Sequence, residues 1–218
     1  YKNGGMVKYQ TKGTVEGRAR DRFRSYLMEQ EAGRDYISRK RSDTRKPGGG
    51  YYKQYEGGRY YPYKMPSEKY YTVGYGHYGP DAQKYTKGVN EAQALEFLEK
   101  DMDNAVRLAG IYVDQNTKSP YSSDPDKSFA DLDPHTKYML ADYPYNLGKL
   151  SKFPKFTEAV LTGDTTAARQ QYQRYDKQDR PIVKRNEAFS ETFLEPWIEK
   201  QRNTNQVALP YTPYPLRK

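Results

Sequence analysis

Apolar residues are sparse at the start of the chain, then Phe23, Tyr26, Leu27 and Ala32 recur at helical intervals, with Gly33 placed to stop a helix. Residues 1–20 are basic, contain glycine and show little periodicity, so an arm or linker is expected there. From Pro47-Gly48-Gly49-Gly50 to Pro66 the pattern is tyrosine broken by Gly57-Gly58 and prolines, which predicts an elaborated hairpin or a long loop. Tyr70 to Tyr75 is rich in β-formers. Asn90 is a good N-cap, with Gln93 at the capping-box position. The helix it opens carries Ala94, Leu95, Leu98, Met102, Ala105, Val106 and Ala109 on one stripe and is expected to end near Gly110.

Downstream the pattern is helical throughout. Asp133-Pro134 is an N-cap followed by proline at the first helical position, and Tyr138, Met139, Ala141 and Asp142 lead on to Asn146-Leu147-Gly148. Phe153, Phe156, Ala159, Val160 and Leu161 predict a helix closed by Gly163. Asp164 caps the next, expected to contain Ala167, Ala168, Tyr172 and Tyr175. Pro181-Ile182-Val183 introduces a last one with Phe189, Phe193, Trp197 and Ile198, and residues 204–218 read as a proline-bearing extended tail. The sum is α+β: a small β-containing N-terminal lobe, a long linking helix and a helical C-terminal lobe, together residues 21–203.

Composition narrows the chemistry. Only 35% of the 218 residues are hydrophobic and the mean hydropathy is −1.15, so one domain with a modest core and polar appendages is expected. No cysteine and two histidines argue against a disulfide framework and against a thiolate or His-rich metal centre, so no metal or cofactor is expected. The formal net charge of +9 suits a polyanion: nucleic acid, an anionic membrane or a bacterial cell wall. No apolar run has the length of a transmembrane segment, and no signal-peptide core appears. The chain opens on Tyr1 rather than Met, as a processed product or an excerpt would.

Four stretches stand in a telling order. They are Tyr71-Thr72-Val73-Gly74-Tyr75-Gly76-His77, then Asn90 through Arg107, then Tyr145-Asn146-Leu147-Gly148 with Leu161-Thr162-Gly163-Asp164, and finally Pro181 through Ala188. Together they resemble the phage-type lysozymes of glycoside hydrolase family 24, over most of residues 21–200. The arm, the tyrosine-rich insertion at about residues 44–67 and the tail fall outside that pattern. The resemblance implies a lysozyme-like fold and an N-acetylmuramidase that cleaves the MurNAc-β-1,4-GlcNAc bond of bacterial peptidoglycan, inverting the anomeric centre. Such a phage-encoded enzyme acts on the wall, from the host cytoplasm before release or as a virion component with other virion proteins as partners.

Glycosidic cleavage needs a protonated acid at the leaving oxygen and a carboxylate that attacks or activates water. The acid must be partly desolvated to keep its proton near neutral pH. By resemblance the acid precedes a glycine at the end of the first helix, which selects Glu31, with Glu29 as its rival. The second carboxylate is Asp43, with Asp35 the other candidate, and Thr72 positions the water. Arg185 falls near the acid's carboxyl, at the back of the cleft, while Gly74 and Gly76 let the backbone approach a sugar chain. His77 is expected to pair with Asp101, an ion pair that raises the histidine's folded pKa.

Each residue also has a plainer role. Helix glutamates are mostly solvated, strand threonines are β-formers, aspartates make turns, and an arginine at a helix start is often a solvated charge. The competing function is a catalytically silent lysozyme-fold protein, structural in a virion or wall-binding. Nucleic-acid binding follows from the charge alone; no RNP-like or helix-turn-helix signature points to a specific nucleic acid.

Overall fold

A computed structural model describes residues 13–32, 55–64, 68–117, 128–176 and 178–207. The first helix, α1 (Val15–Ala32), begins inside the stretch expected to be an arm. Two interactions account for this early start. The Thr14 hydroxyl accepts the Gly17 N–H at 3.0 Å, as an N-cap does. One turn on, Arg20 pairs at 2.7 Å with both Glu99 and Asp103, and Arg24 pairs with Glu99. These side chains tie a weakly apolar helix to α2 (Glu91–Thr117). Composition read one helix at a time sees only charge here. The inward residues Phe23, Tyr26 and Leu27 are buried as the spacing predicts.

The β-lobe consists of two small antiparallel hairpins. Strands β1 (Tyr55–Glu56) and β2 (Arg59–Tyr60) turn through Gly57-Gly58, whose φ values of 57° and 79° are those a two-residue hairpin turn demands. Strands β3 (Tyr71–Val73) and β4 (His77–Gly79) make the second. Isolated bridges join Tyr60 to Val89 and Tyr63 to Thr72, so the segment after β2 lies along β3.

Helix α2 opens with the expected reciprocal cap: Gln93 N–H to Asn90 Oδ1 at 2.9 Å, and Asn90 N–H to Gln93 Oε1 at 3.1 Å. It does not stop at Gly110 but runs to Thr117. A glycine inside a helix costs about 1 kcal/mol relative to alanine and does not by itself end it. Here the missing side chain makes room: a Cβ on Gly110 would sit 3.0 Å from the Phe129 ring.

Helix α3 (Pro134–Leu147) is capped by Asp133 and ends at Gly148 in the left-handed region. Helix α4 (Pro154–Thr162) ends at Gly163, and Asp164 caps α5 (Thr165–Gln171). The predicted extension of α5 to Tyr175 does not occur, because Tyr175 pairs with Pro181 in an isolated bridge. Helix α6 (Val183–Phe189) passes through a π-helical turn, Ser190–Leu194, into α7 (Glu195–Val207). The α2 stripe packs on α3, and α1 lies across α3. A cluster of rings from four α-helices and the π-helical turn (Phe23, Tyr26, Tyr143, Phe156, Phe189, Phe193) fills the C-terminal lobe. The expected α+β architecture is present, with α2 joining the β-hairpins to the helices. Among the described residues, no helix is long and apolar enough to cross a membrane.

Candidate active site

The β3–β4 turn is built against the end of α1. Gly76 has φ 87°, a backbone conformation that favours glycine, and a Cβ there would lie 3.0 Å from Glu31 Oε2, so the Glu31 carboxyl rests directly on this turn. Gly74, at φ 62°, similarly faces Ala94 of α2, where a Cβ would come within 3.1 Å of the alanine's own. At both glycines the space a Cβ would take is bounded by another part of the protein. The turn is locked from the other lobe by Tyr145 of α3, whose hydroxyl donates to the Tyr75 carbonyl at 2.5 Å. Burial, and next the Glu31 carboxylate, push the Tyr145 hydroxyl well above its ordinary pKa, so it stays a donor.

Glu31 accepts from Arg185 at 3.1 Å and keeps 22% of its side-chain exposure. Glu29, its rival, is exposed. Arg185 reaches on to Asp142 at 3.2 Å, and Asp142 takes a second guanidinium, Arg174, at 2.5 Å. Burial opposes charge on Arg185, but Asp142 and then Glu31 outweigh it and raise its pKa, so the guanidinium remains a cation. Asp142 is fully buried and Arg174 1% exposed. Among the described residues the buried Nε and one Nη of Arg174 have no hydrogen-bond partner; the group instead lies 4.0 Å from the Tyr143 ring centroid and 4.5 Å from that of Phe189. Two cations thus alternate with two carboxylates, from the sealed Arg174 and Asp142 through the largely covered Arg185 to Glu31, the most exposed of the four.

A second polar knot backs the hairpins. The Tyr75 hydroxyl donates to Glu91 at 2.6 Å, the Tyr60 hydroxyl to the same carboxylate at 2.8 Å, and the two hydroxyls are 3.0 Å apart. Glu91 stands in the first turn of α2, so one carboxylate joins both hairpins to the linking helix. The expected His77–Asp101 pair is present at 2.9 Å, and the other ring nitrogen faces Asp81 at 3.1 Å. The Asp101 bond, working against burial, raises the His77 pKa; the bond to His77 lowers that of Asp81.

Of the five site residues read from the sequence, the fold brings Glu31, Gly76 and Arg185 into one cluster. Thr72 lies buried on β3, four residues from Gly76, its backbone bonded both ways to Tyr63. Asp43 and Asp35 lie outside the described residues. Asp142 and Arg174 were not anticipated as site residues. The available signal was a carboxylate, Asp142, set among Met139, Leu140 and Ala141, since a charge on a buried face must be paired. For Arg174 the sequence holds no comparable cue.

The model of the phage lysozyme family matches residues 53–188, more than half of the chain. It begins inside the tyrosine-rich segment expected to be an insertion, and it takes in both hairpins, α2 and Arg185, while Glu31 lies upstream. A stretch of 55 residues is 44% identical to the endolysin of Bacillus phage B103, covering 25% of this chain and 20% of that protein. The chain therefore spans about a fifth of the length of the curated relative it matches. With that match running through both hairpins, the long helix and most of the helical lobe, the chain belongs to the phage lysozyme family.

Proposed function

We propose that the protein is a peptidoglycan hydrolase, an N-acetylmuramidase that cleaves the MurNAc-β-1,4-GlcNAc bond with Glu31 as general acid. The observation that carries this is the placement of the Glu31 carboxyl, sheltered but not sealed, against Gly76 of the signature hairpin and on Arg185. Arg185 is charged and held from behind by Asp142, so it orients the Glu31 carboxyl rather than following it. Protonated Glu31 gives its proton to the glycosidic oxygen as the bond to the anomeric carbon breaks. Water adds to that carbon from the opposite face, and a second carboxylate takes the water's proton. Thr72, 7% exposed, would position a sheltered water. Asp43 is proposed as the second carboxylate, and Gly76 as a point of close backbone approach to the glycan. The substrate is the bacterial cell wall, and no cofactor is required for this chemistry.

The test is clearing of a peptidoglycan suspension. Glu31→Gln is expected to lower the rate on the order of a hundredfold or more, the scale of a lost general acid. Glu29→Gln should leave the rate unchanged. Equal clearing by the two variants would remove Glu31 from the acid's role; no clearing by the unaltered protein would remove the hydrolase assignment and leave a silent wall-binding or virion protein on the same scaffold.

A further inference from the structure

Thr72 does not stand alone on its face of the sheet. Residues paired directly across antiparallel strands project to the same side. Thr72 pairs with Tyr78 on β4 and, through the isolated bridge, with Tyr63. Tyr70, two residues before it, falls on that side as well. The opposite face carries Val73, fully buried, and His77, whose ring stacks on Phe97 of α2 at 4.7 Å. Thr72, Tyr63, Tyr70 and Tyr78 therefore share the face directed away from α2.

On that face Tyr78 is 47% exposed, yet it is held in place. Its hydroxyl oxygen accepts the backbone N–H groups of Lys69 at 3.2 Å and Tyr70 at 3.1 Å, and its ring meets that of Tyr70 edge to face at 5.6 Å. A large ring that is both open to solvent and fixed at its far end loses little freedom when a ligand settles on it. The C–H faces of pyranose rings stack on such surfaces. Lys69 lies 5.0 Å from the Tyr70 ring. This cation complements the carboxylates that a peptidoglycan strand carries beside its sugars.

We propose that Tyr78, flanked by Tyr63 and Tyr70, is the platform on which one pyranose ring of the wall glycan stacks beside Thr72, a contact that determines substrate affinity. This builds on the hydrolase assignment, because it is Thr72's place in that chemistry that makes its neighbours the lining of a glycan path.

The experiment uses soluble, uncrosslinked peptidoglycan strands with the full chain. Binding is read by calorimetry in the Glu31→Gln background and turnover in the unaltered one. Tyr78→Ala should raise both Kd and KM about tenfold, the scale of one stacked ring, with kcat held within about twofold. Tyr78→Phe keeps the stacking ring but frees its far end from the Lys69 and Tyr70 N–H groups, so Kd and KM should rise by about two- to threefold, clearly less than in Tyr78→Ala. A purely structural role would instead impair both variants alike. Unchanged Kd and KM in Tyr78→Ala, or equal losses in the two variants, overturns the proposal. If the unaltered protein does not clear walls, the hydrolase assignment fails by itself. The strand affinities of Tyr78→Ala and the parent still decide for or against the platform.

Discussion

At the scale of single residues, Asp142 decides more than any other described side chain. Among the described residues it is the carboxylate that Arg174 and Arg185 share, and it also receives the Tyr26 hydroxyl at 3.3 Å. Asp142→Asn preserves its shape and removes its charge, leaving Arg174 and Arg185 with Glu31 as the only anion in the chain of pairs. Removing one partner of a buried pair typically costs roughly 3–5 kcal/mol. A urea melt of Asp142→Asn should show a loss of that order. Adding Arg174→Met, which removes the cation left without a partner, should recover part of it; a double variant less stable than the single one would contradict the pairing. Asp142 lay in plain view within an apolar helix pattern, but a lone charge on a buried face does not name its partner. That partner is 32 residues away in sequence for Arg174 and 43 for Arg185.

At the scale of elements, the helices whose ends carry their own chemistry were the legible ones. Asn90 with Gln93, Asp133 with Pro134, and Asp164 mark three starts, and Gly148 and Gly163 mark two ends, all where local hydrogen bonding predicts them. Asn90→Ala should therefore cost about 1 kcal/mol, lowering Tm by roughly 2–4 °C for a chain of this size. A melting temperature equal to that of the parent would show the cap to be redundant. Where the signal came from a neighbour, the boundaries moved. The start of α1 depends on ion pairs to α2, and α2 passes Gly110 because the Phe129 ring occupies the space a side chain would take. Tyr175 leaves α5 for a bridge with Pro181, where the Ile182 N–H bonds the Arg174 carbonyl at 2.9 Å.

At the scale of the whole molecule, the two histidines give stability opposite dependences on pH. His77 has a raised folded pKa, chiefly from its bond to Asp101, so its contribution is complete below the ordinary value of 6.5 and is lost as pH rises through the folded value. Asp81, lowered chiefly by its bond to His77, contributes fully above 3.8 and loses its share as pH falls through its folded value. The pair is thus strongest in mildly acid solution. His135 is the reverse case: burial lowers its pKa, and its Nε2–H donates to the Phe193 carbonyl at 2.9 Å. Its contribution is complete above 6.5 and is lost as pH falls through the lowered value. Thermal melts between pH 5 and 8.5 should show Asp101→Asn losing more stability at the acid end than at the alkaline end. His135→Gln should be less sensitive to acidification than the parent. A uniform loss across the range in Asp101→Asn would mean that the contact with His77 is not an ion pair.

What the sequence determined by itself was whatever a short stretch of chain encodes. That includes the family order of parts, the capped helices, the β3–β4 turn and the candidacy of Glu31, Gly76, Thr72 and Arg185. Only the tertiary structure decided between Glu31 and Glu29 as the carboxyl that meets Gly76 and Arg185, since the two lie on one helix and differ in what packs against them. The same holds for Asp142 between its arginines, for Glu91 beneath Tyr60 and Tyr75, and for the tyrosines that share a face with Thr72. Each depends on which distant segments are brought together, and a local pattern of residues records the need for a partner without recording which one the fold supplies.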